Sequence, residues 1–289
     1  MLKSTFDIYT AKFAENIRIL TPVIIIEVLI WLIQILAAIA SENGRYMSLL
    51  IISIFALVLT IAHWLIYTPA AFRTFQKRAD GEPVTIRDSI AFQKNNKWKY
   101  VVLTFWTAVF MIWYALISIL PIVGGLYFGL GFAYIGGMAN MFIGTTLMFV
   151  GIAFGLYMVY LNYAKIFFAM NVYFAKDKSP RESVRESIYL GEKYRNQIWK
   201  YMIGVLAIGI IGFVVIVGPT LAAGNNFVID IWRLAISLLF ITPMMYIYMS
   251  KAYLSILVLD MAEREAAGEL GDGNVVEEVE IIEVVEITK

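Results

Sequence analysis

Four ionisable side chains stand inside otherwise apolar runs: Glu27, His63, Lys165 and Lys251. A carboxylate at mid-membrane depth is costly and must pair, take up a proton or face a cavity. Glu27 lies nine residues from Arg18, and His63 lies ten residues from Arg73. At a rise of about 1.5 Å per residue, both sit roughly 13–15 Å from the nearest charged segment, so they can meet across neighbouring helices. Lys165 and Lys251 reach a similar depth from Lys176 and Asp260. Two chemistries fit these four residues. One is a polar cavity in the inner half of a membrane that handles ions, protons or headgroups. The other is structural: a buried Glu27–His63 pair, with lysines that mark helix ends and extend their amines to the interface.

The elements that hold these residues are long apolar stretches. The chain has 289 residues, 61% hydrophobic and only 16% charged, far from the composition of a soluble domain. Tyr100 to Ala164 is a run of 65 uncharged residues, enough for two crossings and a connection. The pattern predicts six helices near 18–40, 46–70, 100–121, 141–165, 201–218 and 232–256. A membrane barrel would alternate polar and apolar residues instead. Seven basic residues lie in 72–99 and seven in 175–200, whereas the opposite loops hold only Arg45 and Arg233. By the positive-inside rule, both termini and both long loops face the cytoplasm of a multi-pass plasma- or inner-membrane protein.

The chain repeats itself. FQKRADGEPVTIRDSI at 75–90 matches FAKDKSPRESVRESI at 174–188, and Trp-Lys-Tyr follows each, at 98–100 and 199–201. Tyr160 and Lys165 are five apart, as are Tyr246 and Lys251. Thr85–Asp88 and Ser183–Glu186 read as capping boxes, and Ser4–Asp7 as a third. Ser179-Pro180-Arg181-Glu182 is a further helix start, with proline in the first turn. Each box opens a short amphipathic helix, over 4–17, 85–97 and 183–197, that lies in the membrane interface. The fold class is thus an all-α bundle of six transmembrane helices, built as three hairpins, each preceded by a cytoplasmic amphipathic helix. The hairpin units cover about 1–80, 81–178 and 179–262, and 263–289 is an acidic, flexible cytoplasmic tail. Arg87, Lys94, Lys97 and Lys99, with Arg185, Lys193, Arg195 and Lys200, are the expected contacts to anionic headgroups. The apolar, glycine-rich stretch 122–140 reads as an interfacial outer loop. Its Gly125–Gly129 spacing and that of Gly151–Gly155 suit close helix packing or dimerisation.

Several classes fall away. There is no cysteine, hence no disulfide or thiol chemistry, and a single histidine argues against an imidazole metal site or a Ser-His-Asp arrangement. A net charge of +1 with no basic domain argues against nucleic-acid binding. No phosphate-binding loop, metal or cofactor is implied, and the chain reads as a non-enzyme. Membrane lipids are the expected partners. The acidic tail offers a cytoplasmic protein contact, and the glycine motifs offer self-association.

The Arg-acid-Ser-Ile segments at 87–90 and 185–188, feeding aromatic-basic junctions ahead of paired spans, resemble the membrane-domain family found beside glycerophosphodiester phosphodiesterases, and related uncharacterised bacterial and archaeal six-span domains. In that family the hydrolase activity belongs to a separate soluble domain, which this sequence lacks. The resemblance therefore implies an auxiliary membrane module and carries over no catalytic residue. Two functions follow: a membrane-organising or lipid-interacting module, or a small-solute, ion or proton-coupled transporter with its polar site in the inner half of the membrane.

Overall fold

A computed structural model describes residues 1–223 and 227–267; the acidic segment beyond, with the sequence reading of it, lies outside the described residues. The described residues are 92% helix, without strands. Helix α1 (Leu2–Ala11) leads into α2 (Phe13–Glu42) and α3 (Tyr46–Ala62). A π turn at His63–Tyr67 then opens α4 (Thr68–Ala79). The long α5 (Ile86–Ile135) is followed by α6 (Met138–Asn162), a 3₁₀ turn at Tyr163–Ile166, and α7 (Ala169–Lys176). Then come α8 (Pro180–Lys193), α9 (Arg195–Ala223), α10 (Phe227–Ile236), a second π turn at Ser237–Ile241, and α11 (Thr242–Ala266).

Six of these helical runs are long and apolar enough to cross a membrane. Only 6% to 22% of the residues in each run's most apolar stretch are buried by the protein itself. Side chains such as Phe105, Ile112, Phe149, Ile211 and Phe213 stand exposed. In water that surface would be an extended apolar patch of the kind monomers avoid, so its solvent is lipid. These are the helices of an integral, multi-pass membrane protein.

The chain divides into two compact units, Met1–Tyr100 with Tyr201–Lys289, and Val101–Lys200. In the first, α2 packs along α3, and a core gathers Tyr9, Leu20, Val23, Ala71, Phe75 and Ile247. In the second, α5 and α6 touch backbone to backbone. A Cβ on Gly125 would come 2.7 Å from the Gly151 Cα, and one on Gly144 would come 2.4 Å from the Gly129 carbonyl oxygen. The glycine spacing therefore serves intrachain packing. The same contacts explain a departure from the sequence reading: 122–135 is not an outer loop. It continues α5 past Pro121, and the turn falls only at Gly136 and Gly137, whose φ of +80° and +86° suit glycine.

The short helices start where the local chemistry allows. Thr85 and Asp88 cap α5 reciprocally, Thr85 N to Asp88 Oδ2 at 3.2 Å and Asp88 N to Thr85 Oγ1 at 3.3 Å. A full capping box opens α8, but it is Ser179–Glu182 with Pro180 in the first turn, not Ser183–Glu186. Ser183 lies one turn in and donates back to the Ser179 carbonyl at 2.9 Å. Ser4–Asp7 forms no box either. Helix α1 begins at Leu2, so Ser4 is already inside the first turn and donates to the Met1 carbonyl at 2.8 Å.

Candidate functional site

Each short helix meets its apolar span at one non-helical residue. Lys12, Asn96 and Tyr194 adopt nearly the same conformation: φ −113°, ψ 28°; φ −109°, ψ 15°; and φ −111°, ψ 29°. Counted back from these breaks, Lys3-Ser4-Thr5-Phe6, Arg87-Asp88-Ser89-Ile90 and Arg185-Glu186-Ser187-Ile188 coincide. The three hydroxyls Thr5, Ser89 and Ser187 are all fully buried. The N-terminal copy is thus offset by three residues from the register that matched Ser4–Asp7 to Thr85–Asp88.

The buried face of each short helix completes a broken span. Proline has no N–H, so Pro69 leaves the Leu65 carbonyl without its helical donor, and Pro243 does the same to Leu239. Gln93, fully buried, donates its side-chain amide to the Leu65 oxygen at 2.9 Å. Tyr9, 1% exposed, donates its hydroxyl to the Leu239 oxygen. Gln93 and Tyr9 each stand three residues before their break. Burial pushes the Tyr9 phenol up to about 12, which keeps it a donor. The Val101–Lys200 unit reaches the same end differently. Ser187 donates to the Lys165 carbonyl at 2.8 Å and accepts from the Phe168 N–H at 3.2 Å. Gly191, three residues before its break, lets the α8 backbone rest on residues 164–165; a Cβ there would come 2.3 Å from the Lys165 Cα. No periodicity argument finds these caps; the signal that could have found them is the Thr-Pro pair at 68–69 and again at 242–243.

The four candidate polar residues fall in both compact units, Glu27, His63 and Lys251 in the first and Lys165 in the second. Glu27 and His63 do meet, Oε1 to Nε2 at 2.9 Å, with Thr68 Oγ1 3.0 Å from the same nitrogen. His63 is 8% exposed, and its Nδ1 has no hydrogen-bond partner. Lys165 pairs with Glu192 at 2.9 Å. Lys251 sits elsewhere in its unit, its amine 3.4 Å from Ser4 Oγ. Nor are Lys165 and Lys251 equivalent, as the shared Tyr–Lys spacing suggested: Lys165 lies within the 3₁₀ turn, whereas Lys251 lies eight residues beyond Pro243. Lys77 stands at the same interval from its own proline, eight residues beyond Pro69.

Seven of the eight expected headgroup contacts, Arg87, Lys94, Lys97, Lys99, Arg185, Lys193 and Lys200, are exposed. Arg195 is half-buried, its guanidinium 5.9 Å from the Tyr160 ring. Trp98 stands 72% exposed among the lysines of the first set. The Trp199 indole instead turns inward and donates to the Tyr160 carbonyl at 2.8 Å. Glu186 is tied down by Lys176 at 2.8 Å and by Lys178. Burial alone would raise its pKa, but the hydrogen bonds from the two lysines outweigh that and hold the carboxyl below its ordinary range.

A cavity of ≈ 560 Å³ opens within the first unit, between α1, the start of α2, the end of α4, and α11. Ile8, Ile19, Phe75, Ile247 and Leu254 give it an apolar wall; Lys12, Arg78 and Lys251 bring cations, and Glu15 and Glu82 carboxylates. Among the described residues, no three His, Asp or Glu side chains gather into a group that could hold a metal ion. With this geometry in hand, comparison with known proteins finds no matching protein family, no matching curated protein and no matching solved structure.

Proposed function

We propose that this is a membrane-organising, lipid-interacting module of the plasma or inner membrane, without catalytic activity of its own. Three units of amphipathic helix, span, outer turn and span cross the bilayer, with both termini and the three amphipathic helices at the cytoplasmic face. The carrying observation is the exposure of seven cations on or beside α8 and the start of α5, where the apolar spans begin. Each cation near an anionic surface contributes about 1 kcal/mol of attraction. The caps support this reading, because they fix each short helix rigidly to a span. An auxiliary role also fits the resemblance of the Arg-acid-Ser-Ile segments to the membrane domains beside glycerophosphodiester phosphodiesterases. The acidic tail would recruit a cytoplasmic protein, and two copies would associate in the membrane.

The test is lipid retention. Protein purified from membranes of known composition should retain anionic lipid above its bulk fraction. Replacing Arg87, Lys94, Lys97 and Lys99 by Gln should reduce the enrichment. Retained lipid that mirrors the bulk in both proteins would overturn the proposal.

A second reading rests on Glu27 and His63. A carboxylate 2.9 Å from an imidazole whose other nitrogen is unpaired, beside a π turn, is a proton-handling arrangement. It favours a proton-coupled transporter. Proton flux into liposomes that vanishes in Glu27→Gln would establish it; identical flux with and without wild-type protein would dismiss it.

A further inference from the structure

The repeat shows why the cavity matters. In the first copy, the amine eight residues beyond the span's proline, Lys77, is neutralised by Glu82 at 2.7 Å. In the third copy, the amine is Lys251, and the position matching Glu82 holds Ile256, which is fully buried. Lys251 therefore enters the cavity without a carboxylate. Among the described residues the one hydrogen bond of its amine is to Ser4 Oγ. Asp7 acts on it through space but makes no ion pair with it. Both carboxylates of the cavity wall are already used, Glu15 by Arg78 and Glu82 by Lys77. What remains, among the described residues, is an amine without an ion-pair partner, with Lys12 on the same cavity lining and an apolar wall of Ile8, Ile19, Phe75, Ile247 and Leu254. A half-buried charge without an ion-pair partner is a standing cost that a bound anion removes. An apolar wall beside it favours an alkyl chain on that anion. The volume of ≈ 560 Å³ is that of a small-molecule site.

We infer that this cavity binds an anionic amphiphile, its phosphate or carboxylate head on Lys251 and Lys12 and its alkyl chain along the Ile19–Phe75–Leu254 wall. The inference deepens the lipid-interacting reading by assigning it a discrete site. The same head chemistry belongs to a bilayer phospholipid and to a free single-chain amphiphile.

The experiment uses the full chain in an uncharged detergent, with bound ligand counted by native mass spectrometry. Dodecyl phosphate should form a one-to-one adduct. Dodecyltrimethylammonium, which has the chain with the wrong charge, and inorganic phosphate, which has no chain, should not. Lys251→Met should weaken the adduct about tenfold or more, the loss expected for a charge-assisted bond. Lys251→Arg should retain it. Ser255→Glu, which keeps the lysine and places a carboxylate one turn away on the cavity wall, should weaken it as Lys251→Met does. That variant covers the case in which Lys251→Met fails to fold. Displacement by phosphatidylglycerol identifies a bilayer lipid as the occupant; resistance to displacement identifies the single-chain amphiphile. Lys94→Gln with Lys97→Gln, outside the cavity, should leave the adduct unchanged, so a failure of headgroup binding at the exposed cations reads separately. Equal adducts with the phosphate and the ammonium, or an unchanged adduct in both Lys251→Met and Ser255→Glu, would overturn the inference.

Discussion

Removing one hydroxyl from α1 should weaken a helix some 230 residues away in sequence. Tyr9 is 1% exposed and donates to the Leu239 carbonyl, whose helical donor is absent because residue 243 is proline. Tyr9→Phe keeps the ring, and with it the edge contacts to Phe13 at 5.5 Å and Phe240 at 6.0 Å. What is lost is the donor. A buried carbonyl left unsatisfied costs about 1–3 kcal/mol. The expected loss is about 1–2 kcal/mol, since removing the hydroxyl also removes its own desolvation. At roughly 2–4 °C per kcal/mol for a chain of this order, the melting temperature in detergent should fall by several degrees. Pro243→Ala returns an N–H to the Leu239 carbonyl. In that background, Tyr9→Phe should cost less than about 0.5 kcal/mol, so the two changes couple by about 1 kcal/mol. Strict additivity, or no effect of Tyr9→Phe with Pro243 in place, would refute the capping account.

Other outcomes follow from the same geometry. Glu27→Gln should be milder than Glu27→Leu, because an amide still meets the His63 imidazole while leucine orphans it at a cost of about 1–3 kcal/mol; a double-mutant cycle with His63→Leu should show coupling in thermal stability. Gly191→Ala drives a methyl to within 2.3 Å of the Lys165 Cα, so α8 must shift and stability should drop by about 1–3 kcal/mol, read as lost helix protection in hydrogen exchange. Glu186, with its pKa depressed in the fold, contributes stability that is fully present above the ordinary carboxyl pKa. That contribution is lost as pH falls through the depressed folded value. Melting curves of Glu186→Gln and wild type should therefore differ at neutral pH and converge in acid.

Much of this architecture is legible in the residues. Runs such as Tyr100–Ala164 leave no alternative to spanning helices, because bilayer thickness fixes the length and unsatisfied backbone fixes the type. The depth match of Glu27 and His63 is also readable, since a helix converts spacing into height. The caps were not, because a side chain that meets a carbonyl on another helix leaves no periodicity. Where the sequence offers competing boundaries, local chemistry decides between them. Ser183 has the right spacing to Glu186, but Ser179 with Pro180 starts the helix one turn earlier. The stretch 122–135 is rich in glycine, which reads as loop; close contact with α6 turns those glycines into packing residues. Lys77 with its ion pair and Lys251 without one share a register that emerges only once the two prolines are aligned.

The central claim, that exposed cations beside α8 and the start of α5 select anionic lipid, is tested most directly by spin-labelled lipids on the reconstituted protein. Phosphatidylglycerol should show a larger motionally restricted fraction than phosphatidylcholine. The excess should shrink with salt and disappear when Arg87, Lys94, Lys97, Lys99, Arg185, Lys193 and Lys200 are changed to Gln. Equal restricted fractions for the two lipids at low salt, or an excess indifferent to those seven changes, would contradict it.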